Sequence, residues 1–591
     1  MLKAPEDDAA DEQQATTPMG VGWRLLREAL PSRWKLYALS IFFMAGAAVA
    51  TGALAWSTKI IVNDVFVAED ASAAVYVAGL VVFVSLMKSL FQYGNSVVQA
   101  MFTRSIGADY QKTLFRSIMR KDIWHFASKH ASGQMMQVKV LGQACGKTVV
   151  NLANKLPADL LTLVALFGVM LLQDPIMTIA SCILLPLIFL LVSRLSKKIR
   201  EIANAETELT GAYIAVGTEA ISGIKTVKSY RLEEKSIGRF EQAIAALEDR
   251  LLKIARITST TVPVMEFLGG IVIGVFVIYA AWQTITFGKT PGEFTAFITA
   301  FLLAYQPAER VSHVWVDTQK SLVQVDRMFR MLETPPRRPD AGTRSLASAP
   351  PSICFDHVSF QYGSGSPALH DVSFDIAPGD RVAIVGRSGA GKSTLIDLVL
   401  RFYDPTDGTV SIGGIPLPEA TEDSLRDATA LISQDVFLFD GSILDNILDG
   451  NPAATEDEAL EAARLAVLDD LIGPDAAGIH KKVGPNGASV SGGQRQRIGI
   501  ARALAKKAKI YVFDEATSAL DVENEQRIMQ NLARMQDVTV LFVTHRFSTI
   551  SYVDRVIMLA EGRVIADGDP STVRVESEAF RRLFDIANDE S

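Results

Sequence analysis

From Leu36 to Thr58 the chain carries no charged side chain, and a run of this kind is long enough for the roughly 20 apolar residues that cross a hydrocarbon core of about 30 Å. Lipid offers no partner to a backbone N–H or C=O, so a segment of this composition pairs those groups internally, as a helix. The run at about 36–62 is followed by comparable ones at about 73–95, 156–173, 175–193, 265–286 and 293–309, giving six candidate spans. The third and fourth meet at Gln173, Asp174 and Pro175, a tight turn that makes them a hairpin.

What lies between the spans sets their orientation. The stretches 104–150 and 194–260 are long, helical in pattern and rich in Lys and Arg; the loops on the other side (63–72, 173–175 and 287–292) hold Asp64, Glu69, Asp70 and Asp174, with Lys289 as their cation. The positive-inside rule puts the long stretches and both termini in the cytosol. Helices that leave the bilayer and continue for about 20 residues read as levers. Residues 1–19 include Glu6, Asp7, Asp8, Asp11 and Glu12 and lack the basic and apolar regions of a signal peptide, so a disordered cytosolic tail is expected. In 21–30, Trp23, Leu26 and Leu30 share one helical face and Arg24 and Arg27 another, which predicts a helix lying on the membrane surface.

The chain has 591 residues, too many for one core. Hydrophobic residues make up 49% of it, and its net charge of -8 supplies no basic field for a phosphate backbone, so nucleic acid is not an expected partner. Cys145, Cys182 and Cys354 lie far apart, without metal or disulfide spacing. After a membrane domain over 20–334, a Pro/Ser/Ala linker at 335–351 precedes β-branched runs alternating with helical patterns. Residues 353–360, 381–385, 509–513 and 539–543 read as strands, the last three buried on both faces. The predicted fold class is a six-helix membrane domain with long cytosolic extensions, fused to an α/β P-loop domain over 352–591.

Gly386-Arg-Ser-Gly-Ala-Gly391-Lys392-Ser393 follows one of those strands and opens a helix, the context that a phosphate-cradling loop requires. Gly386, Ser388, Gly389 and Gly391 would let backbone N–H groups approach the phosphates of a bound anion, with Thr394 behind them. Lys392 would reach the β- and γ-phosphates and Ser393 would ligate Mg2+. Asp514 and Glu515 end a buried strand. An Asp-Glu pair alone is also what a solvated turn presents; beside Lys392, Asp514 reads as the Mg2+ carboxylate and Glu515 as the group that orients or deprotonates water.

Ser491-Gly492-Gly493-Gln494, ahead of a helical run, resembles the signature loop of the ATP-binding cassette family, and with the motifs above the resemblance extends over nearly the whole chain. It implies that Tyr362 stacks on adenine, that Gln434 senses Mg2+ between the lobes, that the loop from Ser518 to Asp521 crosses a dimer interface, and that His545 is the switch histidine at the γ-phosphate. Six spans with a C-terminal cassette look like a type IV exporter half-transporter, near the lipid A flippase and multidrug branches. In such proteins ATP lies between one chain's phosphate loop and another's signature loop, which implies a partner chain. Intact catalytic residues favour a homodimer joined through both domains. Short coupling helices are expected near Asp122–Phe126 and 211–219. Two departures stand out: Val490 replaces the usual Leu before the signature, and Lys482 and Pro485 replace the acidic residues expected around the Val483-Gly484 pair.

The function expected is ATP-driven export or flipping of an amphipathic substrate across the cytoplasmic (inner) membrane by alternating access. A gated channel or an importer on the same scaffold is the alternative. Ionisable residues in spans are costly and so mark candidate substrate contacts: Lys88, Glu266 and Arg310 lie in the cytoplasmic half, where they would meet an anionic headgroup. Snorkelling, a Lys88 to Glu266 pair and an interfacial Arg310 are the structural counter-readings.

Overall fold

In a computed structural model of the chain, residues 18–127, 131–181, 209, 213–287, 289–335, 342–346, 351–363, 365–474 and 477–589 are described. They form two compact units: Gln14–Met119 with Ser132–Thr334, and Arg120–Ala131 with Pro335–Ser591.

The first unit is helical. The first apolar run forms Trp34–Ile60 and continues as a π-helical segment, Ile61–Val67. The second belongs to a helix of 49 residues, Ala71–Met119, about 73 Å long at 1.5 Å per residue and so more than twice the hydrocarbon thickness. The third forms Leu156–Gln173, and the Asp174 carboxylate then caps the following helix by accepting from the N–H groups of Ile176 (2.9 Å) and Met177 (3.0 Å). Of the fourth expected span, 182–193 lies outside the described residues, as does the start of the lever beyond it. The fifth falls within Glu233–Phe287 and the sixth within Pro291–Glu333, which runs through Pro307. Among the described residues, Pro31–Val67, Ala71–Met119 and Gly133–Gln173 are long and apolar enough to cross a membrane, and Gly269–Gln283 is a shorter apolar helix.

Small residues and buried amides set how these helices meet. The Gly94 Cα faces the Phe43 ring, where an added Cβ would lie 2.6 Å from it. Asn154, 1% exposed, donates to Ser40 and to Asn95 (2.9 Å) and accepts from Gln99. Three helices are thereby tied through one amide, the kind of bond that replaces hydrophobic driving force in lipid. An N-terminal helix, Pro18–Ala29, forms where the amphipathic helix is expected. Val21, Leu25 and Ala29 form its buried face, whereas Trp23 is 71% exposed. Gly22 lies close against Leu152 and Leu322, and Arg24 sits 4.1 Å over the Phe329 ring and pairs with Glu333 at 2.5 Å. The helix docks on the C-terminal part of Pro291–Glu333, where Val21, Leu25 and Ala29 join a buried apolar cluster with Val325, Met328 and Phe329 and Leu26 and Leu30 pack against its edge.

The second unit contains two sheets. Antiparallel β2 (Pro367–Ile376), β1 (Ile353–Gln361), β4 (Asp407–Ile412) and β5 (Ile415–Pro416) form one, in that order. The other runs β10 (Arg563–Gly568), β9 (Arg555–Ala560), β3 (Arg381–Val385), β8 (Thr539–Val543), β7 (Ile510–Asp514), β6 (Thr429–Ile432). Val382 and Ile384 face one core, with Phe355, Leu395 and Val512; Ala383 and Val385 face another, with Phe513, Phe542 and Ile498. Both faces of the sheet are covered, which is why these strands read as unbroken apolar runs.

Candidate nucleotide site

Strands β3, β8, β7 and β6 are mutually parallel neighbours, so the residues that follow them share one edge of the sheet. That edge carries Gly386, His545, Asp514 with Glu515, and Gln434. Open α/β sheets bind ligands at this carboxyl edge.

The loop after β3 turns into the helix Lys392–Val399 through Gly391, at φ 101°. A Cβ there would lie 2.7 Å from Leu369 and 2.8 Å from the Ala368 carbonyl, so the position needs glycine for space as well as for its left-handed backbone. Lys392 is 9% exposed and donates to the carbonyls of Gly386 (2.8 Å) and Arg387 (3.1 Å), strapping the loop. Burial pulls its ammonium below the ordinary lysine range, partly offset by Glu515 and Asp514. Ser388, Gly389 and Ser393 are exposed, and Thr394 is buried.

Asp514 sits opposite Val543 in the sheet. Burial first, then the neighbouring Glu515, raises its carboxyl above the usual range, with Lys392 opposing. Glu515 stands at φ 46°, a left-handed conformation uncommon for a residue with a side chain, and its N–H donates to the Val543 carbonyl at 2.9 Å. That turn aims the carboxylate toward His545, whose Nδ1 lies 3.6 Å from Glu515 Oε1. Lys392, Asp514, Glu515 and His545 are therefore brought together.

Other predicted residues occupy distinct positions. Ser491 is the N-cap of Gly492–Ala505: its Oγ accepts from Gln494 N–H (3.2 Å) and Gln494 Oε1 accepts from Ser491 N–H (3.0 Å), leaving Gly492 and Gly493 at an open helix terminus able to receive an anion. This helix is fastened to the loop after β7, where Gln496 Oε1 accepts from Ala519 N–H at 3.0 Å. Asp521 caps Val522–Ala533, accepting from Asn524 N–H at 3.0 Å. Gln434 is exposed and lines a cleft of about 370 Å3 with Phe437, Asn486, Gly492 and Arg495. Tyr362 is half-buried; its hydroxyl donates to Asp397 (3.0 Å) and reaches Thr394 (3.2 Å), while its ring meets Tyr403 edge-on at 5.3 Å. Burial lifts the Asp397 carboxyl above its ordinary value, with Tyr362 opposing.

A short helix, Trp124–Ala127, forms where a coupling helix is expected, and Trp124 packs edge-on to Tyr403 at 5.3 Å. Described residues of the second expected segment are helical from 213 to 222, followed by Ile224–Ser229; 211 lies outside the description. Val490 is buried in the cassette core, so the apolar exchange is absorbed. Lys482 pairs by a single bridge with Ser442, and Pro485 opens a tight turn.

In the helical unit Arg310 does not stand alone: its Nε and Nη2 lie 2.9 and 2.8 Å from Asp159 Oδ1. The guanidinium is within electrostatic reach of Lys88. The Glu266 side chain lies outside the description. Sequence reasoning missed Asp159 and Asp397, each within an apolar helical run, and missed Glu525 and Arg546, although Arg546 adjoins His545.

The Ser393 hydroxyl, Gln434 amide oxygen and Asp514 carboxylate are hard oxygen donors of the kind Mg2+ takes, and a carboxyl whose burial favours the neutral form is one that a cation would hold ionised. Mg2+ commonly relies on few protein ligands together with substrate phosphates, and no cluster of three or more His, Cys, Asp or Glu able to hold a metal occurs among the described residues.

A phosphate-loop domain fused to a bundle of long apolar helices defines a nucleotide-driven membrane protein. A family profile described as ABC transporter matches residues 369–518, and one described as ABC transporter transmembrane region matches 37–307. The chain is 33% identical over 579 residues to an ATP-dependent lipid A-core flippase of Burkholderia thailandensis, covering 97% of each. It is 34% identical over 565 residues to an uncharacterized ABC transporter ATP-binding protein of Sinorhizobium fredii, covering 95% of this chain and 96% of that one. The solved structure of a bacterial Atm1-family ABC exporter with ATP bound superposes with a TM-score of 0.84 at 25% identity, over 95% of this chain and 99% of that one. The chain belongs to the ABC transporters, as an exporter-type half-transporter with one membrane region and one cassette, and couples ATP hydrolysis to export or flipping across a membrane.

Proposed function

We propose that two copies of this chain form a homodimer in the inner membrane, with termini in the cytosol, that moves an amphipathic molecule with an anionic headgroup toward the outer leaflet. One observation carries the dimer: the signature loop Ser491–Gln494 is fastened to the 517–520 loop rather than to the chain's own phosphate loop, so an ATP held at Lys392 is enclosed when a second chain presents its signature helix. Ser393, Gln434 and Asp514 would hold Mg2+, which would neutralise phosphate charge when bound. Tyr362 would stack on adenine, Glu515 would take the proton from water, and His545 would orient Glu515 and the γ-phosphate. Closing the cassettes favours outward-open spans, and hydrolysis restores the inward-open state.

The substrate class is inferred from the cationic pair Lys88 and Arg310 in the cytoplasmic half of the spans, together with relatives named for flipping lipid A-core. The test is reconstitution into liposomes carrying a fluorescent anionic lipid. With ATP added outside, where it reaches cassettes facing the bulk solution, ATP-dependent gain of protection from a membrane-impermeant quencher is expected, slowed in Lys88→Ala. ATP consumption without relocation of the lipid, or a fully active monomer, would overturn the proposal.

A further inference from the structure

We propose that Glu525 is a positioning residue for hydrolysis: a buried carboxylate that, through Arg546, holds His545 and the 518–521 loop in one register. The inference rests on the reading of the site given above. Glu525 lies in the first turns of Val522–Ala533 and is 2% exposed. Its Oε2 accepts from Arg546 Nη1 at 2.6 Å. Its Oε1 accepts from Thr517 Oγ1 (3.1 Å), Ser548 Oγ (3.2 Å) and Thr549 Oγ1 (3.4 Å). The carboxylate is thus fully supplied with donors from two loops, one following β7 and the other following β8.

Arg546 completes the connection. Its Nη2 donates to the Ser518 carbonyl at 2.8 Å, and its backbone N–H to Thr544 Oγ1 at 3.0 Å. A single planar guanidinium, on the residue beside His545, therefore bridges the Glu525 carboxylate and the loop beyond Glu515, a fork that an ammonium cannot reproduce. On its other side that loop is held by Gln496, itself 2% exposed, on the signature helix. The 518–521 loop is clamped between the switch histidine's segment and the helix that would complete the second chain's site, so displacing Arg546 shifts both.

Stability alone does not explain the arrangement, since a buried ion pair is often matched by apolar packing of the same volume. What the pair supplies is direction. Misplacing a reacting group by about 1 Å costs on the order of 100-fold in rate, whereas binding is far less sensitive.

The experiment measures ATPase kcat and ATP affinity separately on the full-length detergent-solubilised protein carrying Glu525→Gln, Arg546→Lys, or Glu525→Gln with Arg546→Gln. The double variant leaves no unpaired buried charge and so serves if a single variant fails to fold. The expected result is a kcat lowered about tenfold or more with ATP affinity within about twofold of wild type. Wild-type kcat in a folded variant, or affinity and kcat falling together, overturns the assignment. Glu515→Gln is run alongside: full activity there would sink the reading of the site itself, whereas an inactive Glu515→Gln beside a fully active Glu525→Gln would sink the positioning role alone.

Discussion

His545 Nδ1 lies 3.6 Å from Glu515 Oε1, the two residues being delivered by adjacent parallel strands. The left-handed backbone at Glu515 turns its carboxylate off the strand axis toward the imidazole. In Glu515→Gln the shape and the Asp514 neighbour are kept while the base is lost. Hydrolysis should fall by about 10²- to 10⁴-fold, the range for a general base, with ATP affinity retained. Phosphate release and nucleotide binding, measured on the same preparation, check this; hydrolysis at the wild-type rate would remove Glu515 from the mechanism.

The same neighbour perturbs Asp514. Burial and then the Glu515 charge raise the Asp514 carboxyl above its ordinary range, so as pH falls it takes up a proton earlier than a free aspartate and would release Mg2+ earlier. Removing the Glu515 charge lowers the Asp514 pKa but leaves the burial contribution in place. The acid limb of Mg2+-dependent ATP binding should therefore lie above the usual aspartate range in wild type and move partway toward lower pH in Glu515→Gln. Binding titrations across mildly acidic pH test the sign, and a shift to higher pH contradicts it.

Gly391→Ala tests the loop without touching a charged group. A Cβ at that site would crowd Leu369 and the Ala368 carbonyl on a backbone at φ 101°, and strain of this kind costs about 1–3 kcal/mol. Because Gly391 is the N-cap of Lys392–Val399, the distortion falls on the N–H groups that would meet phosphate. ATP affinity should drop by about fivefold to 100-fold. Unchanged affinity would mean that the loop relaxes without consequence.

Much of this site was legible because its residues are contiguous in sequence: the Gly386 to Ser393 loop, the Asp514-Glu515 strand end and the Ser491 cap each announce themselves within about eight residues. The buried parallel strands were legible because both faces are covered. The antiparallel sheet β2-β1-β4-β5 was not, because its pairings depend on register between separated segments. The N-terminal helix was amphipathic as expected, yet Trp23 turned outward and Val21 and Leu25 inward, since a helical wheel gives a face and not the partner it meets. Glu525 and Asp159 were hidden for a related reason: a lone carboxylate on a helix acquires meaning only from a cation far along the chain, Arg546 and Arg310 respectively.

Arg310 separates a structural role from a substrate role. Its guanidinium pairs with Asp159, whose side chain is 10% exposed, while its own is 54% exposed. One edge is committed to the bundle and the other remains open to a ligand. Arg310→Gln alone should lower thermal stability by stranding a buried carboxylate, and adding Asp159→Asn should restore it. If the open edge meets an anionic headgroup, lipid-stimulated ATPase stays depressed in the stable double variant, by about tenfold or more for the loss of one charged hydrogen bond of roughly 1.5–3 kcal/mol. Should the double variant regain full lipid stimulation along with its stability, Arg310 serves only to tie the third span to the sixth, and recognition of the headgroup falls to Lys88.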